Sequence, residues 1–100
     1  MSADGDVAAS KDGPWFVYVI LCEGDSFYIG ATNNINRRYE EQVAGTGADW
    51  TRIHKPVRII HHERYAAQAE AFNREKKLKT GFGRKWLKRE FKTGRLKEPS

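Results

Sequence analysis

One cysteine in 100 residues excludes an intramolecular disulfide, and with it the small secreted scaffolds that depend on such bridges. Cys22 lies inside an apolar run, where a thiol packs as a small hydrophobe, and it lacks the CxxC or Cys/His spacing of a zinc site. Apolar sequence is also scarce. Hydrophobic residues make up 39% of the chain, below the usual globular share, and no run approaches the roughly 20 apolar residues that cross a bilayer. The opening segment MSADGDVAASKDGP carries Asp4, Asp6 and Asp12 and no apolar h-region, so it does not read as a secretory signal. Acidic residues are outnumbered, 13 against 18 lysines and arginines, for a formal charge of +5. The expectation is a cytoplasmic protein without a membrane segment whose first partner to consider is a polyanion, a nucleic acid above all.

What is present suffices for one small core. Residues 1–13 are small and acidic without periodicity and read as a disordered tail, ended by Pro14. From Trp15 to Cys22 both alternating sets are apolar, Trp15/Val17/Val19/Leu21 and Phe16/Tyr18/Ile20/Cys22, the pattern of a strand covered on both faces. Glu23-Gly24-Asp25 supplies a turn and Ser26 to Gly30 returns as a second strand, so a hairpin can bring Tyr18 and Tyr28 near each other on one face. Asn33 and Asn34 are capping residues for a helix from Ile35 to Ala44 with Ile35, Tyr39 and Val43 on one stripe. After a loop holding Trp50, Arg52, His54 and Lys55 come a third strand at 57–62, a second helix at 65–79 and a short third helix at 84–91. A domain spanning 14–92 and a fraying polar tail at 93–100 complete the expected layout.

Two charged residues occupy awkward helical positions. Arg38 and Gln42 border the first helix's apolar stripe, while Arg37 points away from it towards Glu41. Glu75 falls between Ala71, Leu78 and Phe72 on the inward face of the second helix. A carboxylate there costs several kcal/mol unless it is paired or binds a metal, and a structural ion pair with Arg38 or Lys79 competes evenly with a functional role. Tyr18 and Tyr28, taken singly, read more often as core tyrosines with a tethered hydroxyl than as catalytic groups. His61 and His62, adjacent in a strand, point to opposite faces and do not ligate one metal together. The Gly-x-Gly triplets lack the Lys-Ser/Thr of a phosphate loop and read as turns.

The last quarter is basic. Arg74, Lys76, Lys77, Lys79, Arg84, Lys85, Lys88, Arg89, Lys92, Arg95 and Lys97 face only Glu75, Glu90 and Glu98 there. A merely solvated helix face would intersperse acids for i, i+4 pairs; this distribution suits a surface that follows a phosphate backbone without reading sequence.

Phe16-Val17-Tyr18, Tyr28-Ile29-Gly30, Ile35-Asn36-Arg37-Arg38-Tyr39 and Asn73-Arg74-Glu75-Lys76, in this order and spacing, resemble the GIY-YIG nuclease domain, particularly its small stand-alone members. The likeness extends to Gly45 through Arg52, to Lys55-Pro56-Val57, and to Arg74 through Gly81 followed by Gly83-Arg84. The resemblance implies an α+β fold, a three-stranded antiparallel sheet flanked by helices in the order β-β-α-β-α-α, and hydrolysis of a nucleic-acid phosphodiester with one Mg²⁺ or Mn²⁺ ion. By position, Tyr18 and Tyr28 match the motif tyrosines, Gly30 the glycine that lets the backbone approach the site, Arg38 the catalytic arginine and Glu75 the metal-ligating glutamate. The implied roles are a phenolate at Tyr18 that orients or deprotonates water, Tyr28 hydrogen-bonding phosphate or water, and Arg38 neutralising developing charge. Gly30, Gln42, Arg52, His54, Lys79 and Arg84 are the expected substrate contacts.

Two positions depart from the pattern. Phe16 stands where the first motif has its glycine, and Gln42 where many members have a histidine, so a residue that cannot shuttle protons at neutral pH occupies that place. The expected activity is a metal-dependent endonuclease acting on DNA, including structured or damaged DNA, with a protein partner supplying targeting. The alternative is a non-catalytic nucleic-acid-binding module that keeps the fold.

Overall fold

The structure, a computed structural model, describes residues 12–45 and 53–98. Its elements are strand β1 (Asp12–Cys22), strand β2 (Ser26–Thr32), helix α1 (Ile35–Ala44), strand β3 (Pro56–Ala67), helix α2 (Gln68–Leu78) and helix α3 (Gly81–Lys92). The strands form one antiparallel sheet in the order β2-β1-β3. β1 is central, as its doubly apolar pattern requires. The expected α+β architecture and its element order are therefore present. Two residues of the expected N-terminal tail, Asp12 and Gly13, belong to β1; residues 1–11 lie outside the described part.

The two faces of β1 build two separate cores. Trp15, Val17 and Val19 join Phe27, Ile29, Ile60, Ala71, Leu78 and Leu87 beneath α2 and α3. Tyr18, Ile20 and Cys22 face the other way, with Tyr28, Ile35, Tyr39 and Ile59 packed against them. The hairpin turns through Gly24 and Asp25, at φ 83° and 58°; glycine takes this left-handed region without strain and aspartate is among the few other residues that tolerate it.

Asn34 caps α1, its side chain accepting from the Arg37 N–H at 3.1 Å. The stripe of this helix is rotated from the one expected. Val43 is 58% exposed, whereas Gln42 is 1% exposed, because the Gln42 amide finds a partner on the sheet that a valine could not satisfy.

β3 runs further than its apolar composition suggests. Tyr65, Ala66 and Ala67, expected to open a helix, extend the sheet instead, with Tyr65 opposite Trp15. Pairing and packing override the helical preference of alanine. α2 then starts at Gln68, and Glu70 accepts the Ala67 N–H at 3.2 Å, supplying the end group that alanine lacks. α3 starts three residues before the expected Arg84, since Thr80 caps it by accepting the Gly83 N–H at 3.1 Å.

The C-terminal segment does not fray at once. The Lys97 N–H donates to His61 Nδ1 at 3.1 Å, the His62 N–H donates to the Lys97 carbonyl at 2.9 Å, and Glu98 pairs with Arg58. Leu96 packs on the larger core. Residues 95–98 thus lie along β3.

Candidate active site

Register decides which side chains meet. Tyr18 is opposite Gly30, and Ile20 opposite Tyr28, so Tyr18 and Tyr28 are diagonal neighbours on one sheet face with ring centroids 6.2 Å apart. Gly30 is there because nothing larger fits. A Cβ at that position would lie 2.5 Å from the Tyr18 hydroxyl oxygen and 2.7 Å from Cζ, well inside van der Waals contact. The glycine lets the Tyr18 ring lie flat across β2.

Helix α1 brings Arg38 and Gln42 to this face, and α2 brings Phe72 and Glu75 from the opposite side of the sheet. Together with Tyr18, Tyr28, Gly30 and Ala31 they line an open cleft of about 390 Å³. Tyr18 is 2% exposed and its phenol is hydrogen-bonded to Gln42 and Tyr28. Burial, and next the neighbouring phenol of Tyr28, hold its ionisation well above the ordinary tyrosine range; Arg38 and the Gln42 bond act in the opposite sense and do not compensate. Burial thus works against the expected phenolate at Tyr18 and favours the neutral phenol. Gln42, expected at the substrate, forms part of the cleft's inner wall and holds Tyr18.

Arg38 reaches the cleft half-exposed, with Nη1 2.8 Å from Glu41 Oε1; Arg37 lies 3.9 Å from Glu41 and is not part of the cleft lining. Glu75 is half-buried and accepts from Lys79 Nζ at 2.6 Å. Of the two cations that could have answered it, Lys79 on the next turn is the partner. Lys79 and Arg84 line a smaller depression of about 290 Å³ that shares Tyr28 with the cleft. His54 is described but is not part of the cleft lining, and Arg52 lies outside the described residues.

Sequence reasoning missed Phe72 at the cleft, where its ring stands edge-on to Trp15 at 5.6 Å. It also missed the network that holds α2 to the sheet. Glu63 accepts from Arg74 through Nε at 2.8 Å and Nη2 at 3.0 Å, from the Tyr65 hydroxyl at 2.6 Å and from His61 Nε2 at 2.8 Å. Because His61 Nδ1 accepts from the Lys97 backbone, its proton sits on Nε2 and points at Glu63. Burial pushes the Glu63 carboxyl up, but the bonds from His61, Arg74 and Tyr65 outweigh it and bring it down to about 2. Arg74 also stacks on Trp86, its Cζ 5.2 Å from the ring centroid. The signal was the alternation His61, Glu63, Tyr65 on one face of a strand, with an arginine on the helix that follows it. This network positions the helix that carries Glu75.

No group of three or more His, Cys, Asp or Glu side chains suited to a metal occurs among the described residues. Among the cleft-lining residues the carboxylate is Glu75 alone. One carboxylate with phenolic oxygens nearby is a donor set that fits a hard divalent cation completing its shell with water and phosphate oxygens, as Mg²⁺ does.

A tyrosine pair, an arginine and a lone carboxylate at one cleft on a three-stranded sheet define a class. The family model of the GIY-YIG catalytic domain matches residues 14–89, and the chain belongs to this nuclease-type family. Its relatives include a UPF0213 protein of Cupriavidus necator, 39% identical over 70 residues that cover 70% of this chain and 76% of the relative. Another, from Staphylococcus aureus, is 37% identical over 65 residues, 65% of this chain and 79% of the relative. A third, from Xanthomonas axonopodis pv. citri, is 39% identical over 66 residues, 66% of this chain and 65% of the relative. No solved structure matches the chain. No helix among the described residues is long and apolar enough to cross a membrane.

Proposed function

We propose that this protein is a metal-dependent endonuclease that hydrolyses DNA phosphodiester bonds, with structured or damaged DNA among its substrates. The observation that carries the reading is the convergence of Tyr18, Tyr28, Arg38 and Glu75 from β1, β2, α1 and α2 on one open cleft. A structural use of any one of them would not require all four to share a solvent-open space.

In this reading the scissile phosphate enters the cleft beside Arg38, whose planar fork of donors suits the extra charge that phosphorus oxygens acquire on attack. Water oxygen bonds to phosphorus, the bond to the leaving sugar oxygen breaks, the attacking water gives its proton up towards solvent, and the leaving oxygen takes a proton from solvent. Tyr18, neutral and fixed by Gln42, orients the water through its phenol oxygen. Tyr28, less buried and bonded to Tyr18, passes the proton outward or holds a phosphate oxygen. Glu75 would hold Mg²⁺ or Mn²⁺, which would supply Lewis acidity and positive charge to the reacting phosphate. Lys79 keeps the Glu75 carboxylate oriented until then.

The test is cleavage of labelled single-stranded, duplex and branched DNA with and without Mg²⁺ or Mn²⁺, comparing wild type with Glu75→Ala and Arg38→Ala. Removing a group that stabilises developing charge typically costs about 10²- to 10³-fold in rate, and both variants should lose at least that. Equal cleavage by all three proteins refutes the assignment. Binding without metal-dependent cleavage by wild type assigns a binding module instead.

A further inference from the structure

Phe82 is 88% exposed, the largest apolar exposure on the described surface, and it stands at the mouth of a second cleft of about 580 Å³ between α2 and α3. The wall from α3 is the stripe Phe82, Lys85, Trp86 and Arg89, at i, i+3, i+4 and i+7; the wall from α2 is Arg74, Lys77 and Leu78. We propose that this α2–α3 cleft is a seat for an unpaired nucleobase of a bound nucleic-acid strand, with Phe82 stacking on the base and Lys77, Lys85 and Arg89 holding the flanking phosphates. The identity of the polyanion rests on the nuclease reading; the choice of an unpaired base rests on the cleft itself.

The lining explains the ligand class. Its floor is apolar and its rim is cationic, with no acidic residue among the lining side chains. Neither Lys77 nor Lys85 is ion-paired among the described residues, whereas Arg74 is committed to Glu63 and to the Trp86 ring. Trp86 is therefore a rigid wall, and Phe82 the ring with an open face. A flat aromatic body with negative charge at its margin suits that arrangement, and an exposed base attached to phosphates is such a body. A base inside a duplex has both faces covered and cannot use it.

Neighbouring residues of the chain also link this cleft to the catalytic site. Tyr28 lines the catalytic cleft and the small depression beside it; Lys79 and Arg84 line that depression; Thr80 and Gly83, their chain neighbours, line the α2–α3 cleft. A strand cut at Tyr28 can follow Lys79 and Arg84 across the start of α3 to Phe82. An acidic peptide would need no such path from the cleavage cleft, so a nucleic acid is favoured over a protein.

The experiment measures binding in chelator, so that nothing is cleaved, of full-length wild type and Phe82→Ala to oligothymidylate carrying one 2-aminopurine, to a blunt duplex of equal length, and to a phenylalanine-containing polyglutamate peptide. Stacking of one base corresponds to a loss of roughly 5- to 100-fold on alanine substitution. Phe82→Ala should show that loss on the single strand, at most about 2-fold loss on the duplex, and loss of the 2-aminopurine quenching; Phe82→Tyr should restore both. Lys85→Ala should weaken both nucleic acids and lower the salt dependence of binding by about one counterion. Because Phe82 projects into solvent, a folding defect is not expected, and an unchanged circular dichroism melt checks this. Equal binding of all probes by wild type and Phe82→Ala overturns the base seat while leaving the nuclease reading intact. Binding of the peptide alone overturns it in favour of a protein partner, and absence of any nucleic-acid binding overturns both readings.

Discussion

Gly30→Ala adds one methyl group at the centre of the candidate site, and the structure fixes what it must displace. The new Cβ would sit 2.5 Å from the Tyr18 hydroxyl oxygen, 2.7 Å from Cζ and 3.0 Å from Cε1. A flexible side-chain end could swing aside, but Tyr18 is 2% exposed and packs with Ile20, Tyr28, Ile35 and Tyr39, so its ring moves only if α1 or β2 moves with it. Overpacking of this kind costs about 1–3 kcal/mol, which for a domain of this size corresponds to a melting temperature lower by roughly 5–20 °C. The phenol that Gln42 and Tyr28 hold would shift by around an ångström, enough to cost about 10²-fold in turnover. Thermal melts and single-turnover cleavage measure the two effects. A double-mutant cycle with Tyr18→Phe sharpens the test. Without the oxygen the nearest clash is gone, so Gly30→Ala should cost less stability when Tyr18→Phe is already in place, with a coupling of at least about 0.5 kcal/mol. An unchanged melt and unchanged turnover for Gly30→Ala would refute the close-approach explanation of this glycine. Additive losses in the cycle would refute the part assigned to the hydroxyl.

Gln42→Leu should lower kcat about 10-fold and stability by about 1–3 kcal/mol, because it leaves the Tyr18 phenol short of a buried partner, while KM for DNA stays within about 2-fold; a large rise in KM with kcat intact would make Gln42 a substrate contact after all. Glu63 governs an acid-sensitive term in stability. Its carboxyl lies near 2 instead of the usual 4.5, so the folded state binds protons less readily than the unfolded one, and the stabilisation is present above about pH 5 and is lost as pH falls towards about 2. A displacement of that size corresponds to about 3 kcal/mol. Urea titrations from about pH 7 down to about pH 2 should show wild type losing roughly that much more stability than Glu63→Gln, and parallel pH curves would contradict it.

The sheet was legible because β1 carries apolar side chains on both faces, a pattern that few arrangements other than a covered central strand can accommodate. What misled was local preference where a tertiary partner decides. Tyr65-Ala66-Ala67 has helical composition, but Tyr65 lies opposite Trp15 and donates to Glu63. Gly81-Phe82-Gly83 has the composition of a break, but Thr80 caps it into a helix. Val43 fits an apolar stripe, but the helix turns to bury Gln42 because Tyr18 needs a donor. Trp15, across from Tyr65, and Tyr18, which Gln42 holds, are distant in sequence, so no window of neighbouring residues could contain them.

The placement of Arg38 and Glu75 was legible for the opposite reason. Each is a charge on a helical position bordering apolar neighbours, and such a position costs energy unless the fold provides something for it. Glu63 was hidden because a strand's alternation makes every second residue look solvent-facing, and only the register places His61, Glu63 and Tyr65 on the side covered by α2 and α3. The two carboxylates now divide the work of one helix. Glu63 takes its bonds from Arg74, Tyr65 and His61 and fixes where α2 lies; Glu75, one residue after Arg74, is paired among the described residues with Lys79, a half-exposed lysine. A fully satisfied carboxylate has nothing left to offer an ion or a phosphate-bound water, whereas one held by a movable ammonium group does. The neighbouring positions of Arg74 and Glu75 in the sequence thus place the rigid anchor and the cleft carboxylate on adjacent sides of the same helix, and the first makes the location of the second definite.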